Sequence, residues 1–139
     1  REAVPSSAIH ITGNTGIDAL FLMRERMRQG LVPVPPWPWL NPAQRLLLVT
    51  GHRRENFGAG FESFARALAR LAARPDVQIC YPVHPNPQVR EPIHRLLGAH
   101  PNVVLIDPQD YVPFLDLMSR AYFLITDSGG VQEEGPSLG

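Results

Sequence analysis

The sequence has 139 residues, 44% of them hydrophobic, which suffices for one domain with a buried core. Its 13 basic and 13 acidic residues cancel, so bulk charge gives no argument for nucleic acid or a membrane surface as a partner. No apolar run approaches the roughly 20 residues of a membrane span, no secretory signal is recognisable, and the single cysteine excludes an internal disulfide, so we expect a cytoplasmic protein.

The first part of the chain, IHITGNTGIDALFLMRERMRQG, predicts a strand, a Gly-Asn turn and an amphipathic helix. The following stretch, LVPVPPWPWLNP, contains five prolines, which exclude a helix or a central strand and predict an extended connection. Beyond it, short apolar runs alternate with segments of helical periodicity. The predicted strands are 45–50, 77–83, 102–107 and 122–126. The predicted helices are 61–73, a segment from Asn86 that Pro92 ends or interrupts, 111–121, and one that begins with SGGVQEE.

Strands that alternate with helices in this way predict an α/β fold, a Rossmann-like parallel sheet with flanking helices. The strands lack apolar and polar alternation, which is typical of a sheet whose two faces are both covered. Cys80 lies within the apolar run VQICYPV, so we interpret it as a buried structural thiol. The chain begins in a predicted strand and stops soon after a new helix begins, and we therefore expect a segment of a longer protein.

Polar or glycine-rich turns follow all four predicted strands of the second part. Because ligands of open parallel sheets bind beyond the carboxyl ends of the strands, we expect one rim to collect the side chains there. These residues are His52, Arg53, Arg54, Glu55, His84, Asp107, Asp127 and Ser128. The arginines of HRREN can bind phosphate, and His52 can transfer a proton near neutral pH; the alternative is a loop of solvated charges. His84 is either a ligand contact or a hydrogen-bonding residue of the rim. The histidines lack metal-ligand spacing, so we expect no metal site.

The stretch TDSGGVQEEG resembles the surroundings of the nucleophilic serine in trypsin-like proteases, but the rest of the sequence disfavours that role for Ser128. Those proteases are all-β, whereas this chain predicts an α/β fold. The strand-to-helix nucleophile turn of α/β-hydrolases requires Gly-x-Ser-x-Gly, and here Thr126 stands two residues before Ser128.

Anion binding fits the same stretch better. Ser128, Gly129 and Gly130 would present free backbone N–H groups at the N-terminus of a helix, where the helix dipole favours negative charge. Glu134 would lie about one turn further on, where it can accept hydrogen bonds from sugar hydroxyls, while Glu133 would point elsewhere. The alternative is that Ser128 only caps the helix and the two glutamates complement its dipole.

Four motifs together resemble one family. VTGHRRENFG (49–58), YPVHPNP (81–87) and LITDSGGVQEEGPSLG (124–139), in this order and spacing, are similar to bacterial non-hydrolysing UDP-N-acetylglucosamine 2-epimerases. ITGNTGIDAL (11–20) resembles the segment where that family passes from its first domain to its second. One departure is Gly135-Pro136, where the family usually has Ala-Pro.

The resemblance implies a two-domain, glycosyltransferase-B-like architecture with the nucleotide sugar between the domains. Residues 1–42 would hold the end of the first domain, a linker helix and the Pro-rich connection, and residues 43–139 part of the UDP-binding Rossmann-like domain. The implied activity is that of an isomerase, which interconverts UDP-GlcNAc and UDP-ManNAc, a precursor of cell-surface polysaccharide, by elimination and re-addition of UDP. A glycosyltransferase of the same fold and a non-enzymatic nucleotide-sugar sensor are the alternatives.

The resemblance also implies roles for particular residues. His52 would be catalytic, beside the diphosphate and the reacting sugar. Ser128, Gly129 and Gly130 would bind the diphosphate, Glu134 the ribose, and the backbone of Phe114 the uracil. Arg53 and His84 would bind a second, activating UDP-GlcNAc, as in some bacterial members. The resemblance implies no cofactor, a UDP-sugar as substrate and a homodimer at full length. The remaining catalytic carboxylates would lie in the first domain, so this portion alone is expected to be inactive.

Overall fold

The computed structural model describes residues 4–51 and 59–139. Within them the helices are α1 (Thr15–Arg28), α2 (Ala59–Ala72), α3 (Pro87–Leu97), α4 (Tyr111–Arg120) and α5 (Gly129–Glu134). The strands are β1 (Arg45–Thr50), β2 (Val77–Pro82), β3 (Val103–Ile106) and β4 (Phe123–Thr126). Short 3-10 helices cover Ser6–Ala8 and Gly135–Ser137.

The described strands form one parallel sheet in the order β3-β2-β1-β4. The chain therefore runs outward from β1 through β2 to β3 and then returns to pair β4 with the other side of β1. The last residues of neighbouring strands are in register, with Thr50 opposite Thr126 and Pro82 opposite Ile106. This arrangement confirms the predicted Rossmann-like α/β fold and places the turns that follow the strands at one edge.

Each face of the sheet has its own hydrophobic core, as the lack of apolar and polar alternation predicted. Successive residues of β1 alternate between the two cores. The core on the side of α2 and α3 includes Leu47, Val49, Phe61, Leu68, Ile79, Tyr81, Val89 and Ile93. The core on the side of α1 and α4 includes Leu20, Leu46, Leu48, Cys80, Leu115 and Met118. Burial also raises the pKa of the Cys80 thiol to about 12, which confirms its interpretation as a buried structural residue.

The Pro-rich connection, residues 31–42, contains no helix or strand, as predicted, but it is packed against the domain. Trp37 and Trp39 contact each other and pack on the core beneath α1 and α4. The indole Nε1–H of Trp37 donates to Oδ2 of Asp116 over 2.7 Å. Gln78, a buried polar side chain of β2, donates to the carbonyl of Trp39 over 2.7 Å and accepts from the N–H of Asn41 over 3.0 Å. We call residues 31–42 the strap.

Two predictions about local structure are wrong. Residues 9–13 form no strand: they pair with none of the described strands, and the Ile11 side chain is 98% exposed. The predicted turn after it is present, since Gly13 has φ of +76° and the side chain of Asn14 caps α1 by accepting from the N–H of Gly16. The second wrong prediction concerns Pro92, which lies inside α3 without ending it.

Candidate functional site

A cleft of about 280 Å³ opens at the carboxyl edge of the sheet, between the ends of β1 and β2 and the helices α4 and α5. Its lining brings together three residues predicted for the site, His84, Phe114 and Ser128, which are far apart in the sequence. The other lining residues are Thr50, Gly51, Pro82, Pro108, Gln109 and Val131. The register of the parallel strands is what aligns these turns beside one another.

The turn after β4 is tied to the end of β1 by polar contacts. The hydroxyls of Thr50 and Thr126 share a hydrogen bond of 2.6 Å, and the N–H of Asp127 donates to the carbonyl of Thr50 over 3.3 Å. The N–H of Ser128 donates to Oγ1 of Thr126 over 3.0 Å. The prediction of a free N–H at Ser128 is therefore wrong, because a neighbouring hydroxyl already accepts its hydrogen bond.

The start of α5 differs from a capped helix. Ser128 occupies the N-cap position, but its side chain makes no capping hydrogen bond, which contradicts the alternative in which it only caps. The N–H groups of Gly129 and Gly130 belong to the first turn, where an α-helix supplies no acceptor. Both glycines are exposed, and a Cβ built on Gly130 would meet no described atom within 4 Å.

His84 lies on the exposed rim of the cleft, just before α3. Its Nδ1 accepts a hydrogen bond from the N–H of Asn86 over 3.1 Å, so in the neutral ring the hydrogen is on Nε2. The side chain of Asn86 in turn caps α3 by accepting from the N–H of Gln88 over 3.0 Å, as predicted. His84 is thus a rim residue with a defined hydrogen bond, which fits one of the two roles predicted for it.

The two glutamates of α5 have different neighbours. Oε2 of Glu133 accepts from Nδ2 of Asn14 over 3.2 Å, so this side chain turns toward α1, in agreement with the prediction that it points elsewhere. Glu134 is half-buried and lies near Tyr111 at the start of α4. The pKa of Tyr111 is raised, first by burial and then by the negative charge of Glu134. Tyr111 was not among the site residues predicted from the sequence, although an aromatic residue so soon after the third strand was a signal for the site.

The predicted single rim is divided in the structure. Asp107 lies in a separate hollow, beside Arg90 and His94 of α3. Asp127 lines a smaller cavity of about 190 Å³, which shares Thr50 and Gly51 with the lining of the cleft. Phe61 and Phe64 of α2 form the apolar wall of that cavity.

Several predicted residues lie outside the described residues. They are His52, Arg53, Arg54 and Glu55, and their roles stay predictions. Within 4–51 and 59–139, no three side chains among His, Cys, Asp and Glu are grouped to hold a metal ion. In the same ranges, no helix is both long and apolar enough to span a membrane.

The fold and the cleft define a Rossmann-like α/β domain, a class in which ligands bind beyond the carboxyl ends of the strands. The model of the UDP-N-acetylglucosamine 2-epimerase family matches residues 1–139. The chain belongs to this family.

Curated relatives agree with this assignment. The chain is 53% identical over its whole length to 38% of the UDP-N-acetylglucosamine 2-epimerase of Escherichia coli K12. It is 52% identical, again over its whole length, to 38% of the Yersinia pestis enzyme of the same name. The chain therefore spans well under half the length of these relatives.

Solved structures show the same similarity. The Neisseria meningitidis UDP-GlcNAc 2-epimerase bound to UDP-GlcNAc superposes with a TM-score of 0.83 at 40% identity, over 99% of this chain and 38% of that one. The complex of Staphylococcus aureus MnaA with UDP has a TM-score of 0.81 at 38% identity, over 96% of this chain and 35% of the other.

Proposed function

We propose that this chain is the UDP-binding portion of a UDP-N-acetylglucosamine 2-epimerase, a two-domain protein of glycosyltransferase-B-like architecture. The whole protein would interconvert UDP-GlcNAc and UDP-ManNAc. The observation that carries the proposal is the cleft, which gathers His84, Phe114 and Ser128 at the carboxyl edge of a sheet that superposes on relatives solved with UDP-GlcNAc or UDP. Residues 1–42 would then join the first domain to the UDP-binding domain, residues 43–139.

The start of α5 is suited to a diphosphate. Gly129 and Gly130 are exposed residues of the first helical turn, where an α-helix supplies no acceptor for their N–H groups, and the Ser128 hydroxyl makes no capping bond and can donate to a phosphate oxygen. The HRREN motif directly follows Gly51 in the sequence, and its arginines would serve as further phosphate ligands. Ser128 therefore binds the ligand in this proposal and does not attack it.

The nucleoside would occupy the side of the cleft formed by α4. Glu134 would accept hydrogen bonds from the ribose hydroxyls, since it is half-buried and, within the described residues, no hydrogen bond ties its side chain to another helix as that of Glu133 is tied to α1. Phe114 would contact the uracil. Its N–H already donates to the carbonyl of Asp110 over 3.0 Å, so a backbone contact would use the carbonyl oxygen of Phe114 as an acceptor.

The proposed reaction explains why the site must stabilise a leaving diphosphate. The hydrogen on C2 of the sugar is not acidic enough for simple removal and return. Elimination breaks the C2–H and C1–O bonds together, releasing UDP and leaving 2-acetamidoglucal; re-addition forms both bonds again with C2 inverted. His52 would neutralise the developing charge or transfer a proton near neutral pH. The carboxylates that complete the reaction would belong to the first domain.

We further propose a cytoplasmic homodimer for the full-length protein. Arg53 and His84 would contribute to binding a second, activating UDP-GlcNAc. The exposed position of His84 on the rim of the cleft supports its part in this role.

The test is an assay of the full-length protein with UDP-GlcNAc in D₂O. Formation of UDP-ManNAc with deuterium at C2 is expected, because the proton lost in elimination is replaced from solvent. Consumption of UDP-GlcNAc only when a sugar acceptor is added would indicate a glycosyltransferase. Binding without turnover would indicate a sensor. Either of the last two results would contradict the proposal.

A second measurement addresses this chain by itself. We would titrate UDP, UMP and UDP-GlcNAc into the purified chain by calorimetry, with circular dichroism of the same sample to establish that it is folded. Binding of UDP more tightly than UMP is expected if the cleft forms a diphosphate site without the first domain. A folded sample that binds none of the three would show that the site needs both domains.

A further inference from the structure

Tyr81 is a buried residue of β2 whose polar atom reaches the end of the neighbouring strand. Its side chain is 0% exposed, and its hydroxyl donates a hydrogen bond of 2.8 Å to the carbonyl of Gly51. Gly51 is the last described residue after β1, and in the sequence it directly precedes His52. The ring of Tyr81 also packs edge-on against Phe64 of α2, with ring centroids 6.4 Å apart.

The fit around Gly51 is tight on the side of this hydroxyl. A Cβ built on Gly51 would lie 3.1 Å from the hydroxyl oxygen of Tyr81, closer than most real contacts of a Cβ. The next nearest atoms, on Phe64 and Phe61, would be at ordinary van der Waals distances of 3.5 Å and 3.8 Å. The Tyr81 hydroxyl is therefore the group against which a side chain added at this position would press.

The hydrogen bond has a covalent consequence for the chain that follows. A carbonyl and the N–H of the next residue belong to one planar peptide unit. Fixing the carbonyl oxygen of Gly51 therefore fixes the orientation of the peptide that joins Gly51 to the next residue. Phenylalanine would fill the same space in the core, and a buried hydroxyl lowers the stability of the fold unless it is hydrogen-bonded. The hydroxyl of Tyr81 therefore serves to bond its partner, the carbonyl of Gly51.

The hydroxyl is a constant donor across the physiological pH range. The pKa of Tyr81 is raised, first by burial and then by the negative charge of Asp127, which lines the same small cavity as Gly51. The bond to Gly51 is thus independent of pH across this range.

We propose that Tyr81 is a positioning residue: its hydroxyl holds the Gly51 carbonyl and thereby sets the direction in which the chain leaves β1 toward His52. This inference rests on the proposed function in so far as His52 is catalytic. Tyr81 itself need not touch the substrate, because it acts through the backbone of Gly51.

The experiment compares Y81F, G51A and the double variant in the full-length protein, with Y122F as the matched control. Tyr122 is an exposed tyrosine immediately before β4. Each variant is measured for kcat, KM, the pH dependence of kcat, and amide hydrogen exchange of the peptides that cover residues 50–60. The thermal midpoint of each variant establishes that it is folded.

The expected result for Y81F is a kcat lowered about tenfold, a KM changed less than about threefold, and faster exchange in residues 50–60. The pH profile should keep its shape, because Tyr81 does not titrate in this range. Y122F should match the wild type in all four readouts. G51A should lower kcat in the wild-type background but much less in Y81F, because removal of the hydroxyl vacates the space for the added methyl group.

Wild-type kcat in Y81F, or unchanged exchange after Gly51 in that variant, would overturn the proposal. So would strictly additive effects of G51A and Y81F. If Y81F does not fold, G51A alone tests the proposal, because its added methyl group presses on the same hydroxyl. Wild-type kcat in G51A would then overturn the proposal. If the wild-type protein lacks epimerase activity, the proposed function fails, and the exchange comparison by itself decides whether Tyr81 holds Gly51.

Discussion

Glu133 and Glu134 are adjacent in the sequence but lie in different environments in α5. Glu133 accepts a hydrogen bond from Asn14, whereas Glu134 is half-buried near Tyr111. We expect E134Q to weaken UDP binding by the full-length protein about tenfold, since a carboxylate is a stronger acceptor for ribose hydroxyls than an amide. E133Q is the control and should change the Kd less than twofold. Calorimetric titration measures both, and equal effects would remove the ribose role from Glu134.

Asp116 is a second residue whose surroundings make a definite prediction. It is 7% exposed, and its Oδ2 accepts from both Trp37, over 2.7 Å, and Arg120, over 2.8 Å. D116A would leave the partly buried indole N–H without an acceptor, so we expect the free energy of unfolding to fall by about 2 kcal/mol. D110A is the control, because the Asp110 side chain makes no capping bond at the start of α4. Urea unfolding measures the difference, and similar values for the two variants would show that the network contributes little.

At the scale of elements, α3 shows how packing can outweigh a local signal. Proline inside a helix removes one hydrogen bond and costs about 3 kcal/mol, which is why the sequence predicted an interruption at Pro92. The helix nevertheless continues, and it buries Val89, Ile93 and Leu97, spaced four residues apart, in the core beside α2. Burial of each of these side chains stabilises the fold by about 1.5–3 kcal/mol. The three together therefore outweigh the cost of the proline.

The strands and helices of the second part could be predicted because apolar periodicity is a local property of the sequence. The grouping of the rim could not, because it depends on which turns become neighbours. Asp107 follows β3, which lies at the far edge of the sheet from β4, and it therefore faces a different hollow from Ser128. The hydrogen bond between Tyr81 and Gly51 could not be predicted from the sequence either, since it requires the pairing of β1 with β2.

The pair of helices α2 and α3 carries a pH-dependent contact. Glu62 of α2 accepts from Arg66 over 2.9 Å and from Arg95 of α3 over 2.7 Å. These hydrogen bonds, that from Arg66 first, hold the pKa of Glu62 below its usual 4.5. A lowered pKa in the folded state gives stability that is present above pH 4.5 and is lost as the pH falls through the folded value.

We therefore expect the stability of the E62Q variant to depend less steeply on pH below 4.5 than that of the wild type. Thermal midpoints recorded between about pH 2.5 and pH 7 measure this dependence. E91Q is the matched control on α3, since Glu91 makes no ion pair within the described residues. An acid-side slope in E62Q as steep as in the wild type would contradict the role of Glu62.

At the scale of the whole molecule, the strap joins α1 to the sheet as a packed segment. Gln78 holds it by bonding both the carbonyl of Trp39 and the N–H of Asn41. We expect Q78L to expose residues 31–42 to proteolysis, because two backbone groups lose their partner beneath the strap. Cleavage within these residues by limited chymotrypsin digestion should be several times faster than in the wild type. Q88L, a change at an exposed glutamine of α3, is the control, and equal rates would show that Gln78 does not hold the strap.

Both tryptophans of the sequence lie in the strap, at positions 37 and 39, with their rings 5.5 Å apart. Their intrinsic fluorescence therefore originates entirely from this segment. Because Trp37 donates to a buried carboxylate and both rings pack against the core, release of the strap would transfer the indoles to water and shift their emission to longer wavelength. The chain thus carries a built-in optical probe of whether residues 31–42 are seated on the domain.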